Sequence, residues 1–203
     1  MNYRNITRRA AGLAVLFAAV AGGSAHAATP PVKASACSEP SYTFSQPFSS
    51  FRDTNWYTLA PGQSANSFDG TGWTLSGGAK LVTTALADGS TGTVLDLPAG
   101  ATAVSPPMCV SAAYPSARAQ VRDLVGPPSV HLFVQYTNTK SWEKPAAAGT
   151  FAAQTQWVNS QPLDLHPGNL YGWQQEIFTL TGGTKGTTDA QVYNFYVDPH
   201  SFH

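Results

Sequence analysis

The chain has 203 residues, with 11 Lys+Arg against 11 Asp+Glu, only 11% charged residues, 18 Gly, 15 Pro and 42% hydrophobic residues. Without excess positive charge a nucleic-acid partner is not expected. Scarce Glu, Lys and Leu argue against a coiled coil, and the hydrophobic content argues against disorder, which leaves a weakly charged, turn-rich globular protein.

Residues 1–27 read as an address. Arg4, Arg8 and Arg9 open the segment, an apolar run from Ala10 to Ala21 is broken only by Gly12, and Ala25-His26-Ala27 supplies a small-residue cleavage site. That is the layout of a secretory signal peptide cut before Ala28. The apolar run is about 12 residues where a bilayer span needs ~20, so no membrane span is predicted. Thr7-Arg8-Arg9 also admits twin-arginine export. Cleavage would remove three arginines and no acid, leaving a mildly acidic chain. The expectation is a secreted, extracellular monomer. Residues 28–40 form an extended leader and 41–203 a single domain. Cys37 and Cys109 are the two cysteines, and an even pair in an exported chain reads as a disulfide. Closing a loop of about 70 residues, it would contribute roughly 4 kcal/mol.

Beyond residue 40 no long window carries a helical period. Turn signals recur instead, among them Pro61-Gly62, Asp69-Gly70, Gly77-Gly78, Asp88-Gly89 and Pro106-Pro107. Short strands are predicted at 41–48, 56–60, 72–75, 79–84, 93–97, 101–104, 117–123, 130–137, 151–158, 173–181 and 191–197. In 117–123, Ala117, Ala119 and Val121 alternate with a wet face of Arg118, Gln120 and Arg122. In 130–137, Val130, Leu132, Val134 and Tyr136 share one face. In 191–197, Tyr193, Phe195 and Val197 face one way and Val192, Asn194 and Tyr196 the other. The fold class is therefore all-β, a single-domain antiparallel β-sandwich.

Three segments carry a resemblance. The first holds Phe51, Asp53, Tyr57 and Pro61-Gly62, then Phe68-Asp69 and the run from Gly72-Trp73 to Gly77-Gly78-Ala79. The second is Leu97-Pro98-Ala99-Gly100 with Ser105-Pro106-Pro107-Met108-Cys109-Val110, and the third is Tyr196-Val197-Asp198-Pro199. Together they resemble a group of uncharacterised secreted bacterial proteins. Phe68-Asp69-Gly70-Thr71-Gly72-Trp73 also resembles the opening of carbohydrate-binding modules with a galactose-binding-like jelly roll. That resemblance implies a jelly-roll sandwich, sugar binding and a structural calcium ion.

Sugar recognition needs flat aromatic faces with polar groups at their edges. Tyr171 and Trp173 lie beside Asn169, Gln174 and Gln175, and Trp157 beside Gln156 and Asn159. Trp142 sits in the charged loop 138–150, and Tyr114 follows a turn-rich stretch. These five are the candidate ligand-binding residues, with core packing as the competing role for any large aromatic. Trp73, framed by glycines, is expected in the core, and Trp142 among charged neighbours is expected outside it. Asp69, Asn194 and Asp198 could supply oxygen ligands to calcium if the first and last strands pair, although both aspartates also suit turns. No zinc spacing, serine-hydrolase elbow or phosphate-cradling loop is present. For a glycosidase, Glu143 and Glu176, with Asp96 and Asp164, are the available carboxyls. The leading expectation is a non-catalytic binder of polysaccharide or cell-wall glycan. The alternatives are an adhesive surface protein that binds another protein and a small extracellular glycan-active enzyme.

Overall fold

The structure is a computed structural model and describes residues 37, 41–111, 116–126, 130–136, 144–165, 173–183 and 187–199. A one-turn 3-10 helix at Ser49–Phe51 precedes the strands. These are β1 (Thr58–Leu59), β2 (Thr74–Ser76), β3 (Lys80–Ala85), β4 (Thr91–Pro98), β5 (Thr102–Val104), β6 (Met108–Ser111) and β7 (Ser116–Val125). They continue with β8 (Val130–Tyr136), β9 (Ala146–Phe151), β10 (Val158–Asn159), β11 (Leu163–Asp164), β12 (Trp173–Thr181) and β13 (Asp189–Asp198).

All pairings are antiparallel and fall into two sheets. One runs β10-β7-β13-β4-β3, with β1 added to β13 and β11 to β7; the other runs β2-β5-β12-β8-β9, with β6 added to β12. Successive strands cross repeatedly between the sheets, as the predicted all-β sandwich requires. Among the described residues no helix is long and apolar enough to cross a membrane.

The inner faces form the core. From the seven-stranded sheet come Leu95, Leu97, Val121, Val192 and Phe195, and from the other Leu132, Val134, Phe178 and Leu180. Phe195 is central, edge-on to Trp73 at 6.4 Å, Phe151 at 6.0 Å and Phe178 at 5.2 Å. Trp73 is buried as expected, and its indole N–H donates to the Pro61 carbonyl at 2.6 Å. The turn beneath it needs glycine: Gly62 has φ +74°, and a Cβ there would lie 2.3 Å from the Thr71 carbonyl. β8 shows strict alternation, with Val130, Leu132, Val134 and Tyr136 inward.

Four expectations change. Segment 41–48 is not a strand and contributes only the Ser45–Tyr57 bridge. The predicted strand 151–158 is interrupted, because the chain leaves β9 in one sheet and joins β10 in the other. β6 and β11 are additional strands, four and two residues long, each too short to show a period. The faces of 191–197 are also reassigned. Val192, Phe195 and Val197 point into the main core, while Tyr193 joins Leu86 and Val94 in a separate cluster. The pairing of β13 with β7 shifts register between Tyr193 and Tyr196, and Asn194 has φ +48°. This bulge inserts one residue and flips the alternation beyond it.

Cys37 and Cys109 form the expected disulfide, with their Cα atoms 5.7 Å apart. Tyr42 holds the same point of β6: its hydroxyl accepts from the Cys109 amide at 3.0 Å and donates to the Cys109 carbonyl at 2.8 Å.

Candidate functional site

The outward residues of β7, read from the sequence as a wet face, are largely covered. Segment 46–57 folds over Arg118. Phe48 is buried and meets Tyr57 and Tyr196 edge-on at 5.1 and 5.6 Å. The Arg118 guanidinium lies 4.1 Å from the Phe48 ring centre, donates from Nε to the Ser160 carbonyl at 2.9 Å and from Nη1 to Asp53 Oδ2 at 2.6 Å. Arg118 is therefore buried because its charge is paired and its donors are directed.

Asp53 collects the opposing bonds. Its Oδ2 also accepts from the Tyr57 hydroxyl at 2.8 Å, and its Oδ1 from the Asn55 amide at 3.2 Å. Burial pushes this carboxyl up, but the bonds from Arg118, Tyr57 and Asn55 and the Arg118 charge outweigh it, leaving the carboxyl below the usual range. Burial, with the neighbouring Asp53, pushes the Tyr57 phenol up to about 12.

Between segment 51–55 and segment 154–162 lies an open groove of about 830 Å³, with Arg118 among its lining residues. Phe51, 58% exposed, and Trp157 are the aromatic residues in its described lining. Trp157 is fixed in place. Its indole N–H donates to the Ala85 carbonyl at 2.9 Å, the Arg122 guanidinium lies 4.5 Å from its ring centre, and Tyr193 meets it edge-on at 4.7 Å. Arg122 is itself held by Gln191 and Thr84. Four side-chain amides also line the groove: Asn55, Gln154, Asn159 and Gln161. None of them hydrogen-bonds to another described residue. The groove has the volume of a small-molecule site, but its described lining is more polar than usual, with eight polar or charged residues against Phe51, Trp157, Val158 and Pro162.

Trp157 and its neighbour Asn159 line the groove. Trp173 opens β12 in the other sheet, half-buried, so it shares no surface with Trp157. Tyr114, Trp142 and Tyr171 lie outside the described residues, as does Glu143. Phe51, Arg52, Asn55 and Arg118 were not anticipated as site residues. The cue available was the mixed run Phe51-Arg52-Asp53-Thr54-Asn55, in which one aromatic sits among hydrogen-bonding side chains.

The proposed calcium ligands do not converge. The Asn194 side-chain N–H donates to Asn66 and Gln120 at 3.0 and 3.1 Å, while its oxygen accepts from the Asn66 amide at 2.9 Å. Asp69 is exposed and accepts from the Ser67 hydroxyl at 2.6 Å. Asp198 pairs with Ser116 four residues along β13 from Asn194, roughly 12 Å away at strand rise, too far for one ion. Among the described residues no group of three or more His, Cys, Asp or Glu side chains could hold a metal.

Of the carboxyls considered for hydrolysis, Glu176 and Asp164 both act on the Tyr136 hydroxyl, while Asp96 has separate contacts. Glu176 is fully buried opposite Tyr136, Asp96 is buried and bonded to Gln191 and Lys80, and Asp164 is exposed on β11. Asp53 is the one carboxylate among the groove-lining residues.

No protein-family model matches the chain, and no curated protein does. Solved structures similar to it are mostly β-sandwich carbohydrate-binding modules. One is a family 61 module in complex with β-1,4-galactotriose, with 12% identity and a TM-score of 0.41, covering 68% of this chain and 97% of the module. Another is the family 11 module of a Clostridium thermocellum cellulosomal cellulase, with 12% identity and a TM-score of 0.41, covering 65% of this chain and 89% of the module. A third is an arabinose-bound α-L-arabinofuranosidase, with 16% identity and a TM-score of 0.44; the match covers 66% of this chain and 24% of that enzyme, about a quarter of its length. Identities of this size say nothing about the ligand.

Proposed function

We propose that the protein is an exported, non-catalytic carbohydrate-binding protein whose ligand lies in the groove between Phe51 and Trp157. The observation that carries this reading is the pairing of those aromatic walls with four amides that the protein leaves unspent. An amide offers both donors and an acceptor and so matches the dual character of a sugar hydroxyl. An aromatic face suits the apolar C–H surface of a pyranose. The groove is open, which suits a polymer that enters and leaves along its length.

Two further observations support the reading. Among the described residues the groove lining has one carboxylate, Asp53, and it is committed to Arg118 and Tyr57; hydrolysis by paired carboxyls needs a second beside it. The disulfide suits an oxidising compartment, in keeping with the signal-like residues 1–27 and cleavage before Ala28. The adhesive alternative has less behind it. Among the described residues the exposed large apolar side chains divide between Phe51 and Trp56, Leu81 on β3, and the far end of β7 at Leu124 and Val125.

The test is a polysaccharide and cell-wall glycan array, read with the wild-type chain and with Phe51→Ala and Asn159→Ala. At least one glycan class should bind, and each substitution should weaken it about tenfold, the scale of a lost stacking or hydrogen-bonding contact. The Phe51→Ala melting temperature should be unchanged, since that ring is mostly in solvent. No binding anywhere on the array, or binding indifferent to both substitutions, would remove the assignment.

A further inference from the structure

The charge in the groove is unbalanced, and the imbalance points to the kind of glycan it takes. Among the described residues, Arg52, Asp53 and Arg118 are the ionisable ones in its lining. Asp53 neutralises Arg118, with both of its oxygens already accepting bonds. Arg52 is exposed, and its guanidinium makes no ion pair or hydrogen bond with any described residue. One positive charge therefore remains in the groove.

Two details indicate that this charge is built in. Arg52 closes the one-turn helix at Ser49–Phe51 with φ 63°, its amide donating to the Ser49 carbonyl at 3.0 Å. That left-handed conformation is the usual place of glycine, and a long side chain adopts it at a cost. Arg118 also keeps a donor in reserve. Its side chain is 4% exposed, and Nε and Nη1 are spent, but Nη2 donates to no described residue. Arg118 and Arg52 both line the groove, and a guanidinium suits a planar anion.

We infer that the groove selects an acidic glycan, one whose sugars carry carboxylate or sulfate groups, with Arg52 supplying the unpaired charge and Arg118 Nη2 a fixed donor. This rests on the carbohydrate reading above and narrows it to a ligand class.

The experiment uses matched pairs of polysaccharides that differ in charge: polygalacturonate against its methyl ester, and dextran sulfate against dextran. The acidic member of at least one pair should bind about tenfold more tightly than its neutral partner, as a charge-assisted contact predicts. Which pair shows the difference identifies the anion as carboxylate or sulfate. Arg52→Gly should abolish the difference without lowering the melting temperature, because glycine suits that backbone. Arg52→Lys should keep part of it. Lys80→Gln, which removes an exposed charge paired with Asp96 outside the groove, should leave it intact.

Equal binding within both pairs would overturn the inference, as would a preference that survives Arg52→Gly or falls equally with Lys80→Gln. If neutral glycans on the wider array bind while both acidic members do not, the acidic inference fails alone. If nothing on the array binds, the carbohydrate reading fails and this inference with it.

Discussion

Arg118 donates from Nη1 to Asp53 Oδ2 at 2.6 Å across 65 residues of sequence, and this ion pair fastens segment 46–57 to the outer face of β7. Both side chains are largely shielded, at 4% and 15% exposure. Removing one partner would strand the other, which typically costs about 3 kcal/mol. Asp53→Asn should lower the unfolding free energy by that order in a denaturant titration. Because the folded carboxyl sits below its ordinary 3.8, the pair contributes fully above about pH 4, and the contribution is lost as pH falls through the folded value. Wild type and Asp53→Asn should therefore converge in stability toward pH 2; a gap that persists there would contradict the role given to the pair.

Glu176 titrates with the opposite sign. It is fully buried, and its register partner across to β8 is Tyr136. Burial drives the carboxyl well above its ordinary 4.5, against a smaller opposing pull from Tyr136. The neutral form therefore contributes fully below about pH 4.5, and stability is lost as pH rises toward the folded value, at up to roughly 1.4 kcal/mol per pH unit. Glu176→Gln should be close to wild type at pH 4 and at least about 1 kcal/mol more stable at pH 8. Equal effects at both pH values would show that the carboxyl is already ionised in the fold.

The bulge at Asn194 should discriminate between substitutions. Its φ of +48° excludes a β-branched residue, and its amide joins Asn66 to Gln120. Asn194→Gly keeps the backbone and loses the bonds, at about 1–2 kcal/mol. Asn194→Val loses both, at about 3 kcal/mol or more. Matching melting temperatures for the two variants would mean that the left-handed backbone is not what sets the phase of β13.

Much of the fold was legible because burial on one face imposes a period of two. Val130 to Tyr136 and Ala117 to Val121 show this, and both segments point as the sequence indicates. The bulge was hidden because Asn tolerates a left-handed backbone without requiring it, and one inserted residue moved Tyr193 from the main core to the outer cluster. Arg118 read as solvent-facing because the residues that cover it, Phe48 and Asp53, are more than 60 positions away. Trp157 was legible from the polar side chains beside it. Phe51 and Arg52 sit in a single turn, where no periodic signal marks a binding wall.

Ligand is proposed to occupy the groove between segments 51–55 and 154–162. The most direct test is backbone and indole amide NMR of the isotope-labelled chain, titrated with an oligosaccharide of whichever glycan the array identifies. Shifts should concentrate at Phe51, Arg52 and Asn55, at Gln154, Asn159 and Gln161, and at the Trp157 indole N–H. Shifts concentrated instead on the outer face of the other sheet, around Trp173 and Phe133, would contradict it.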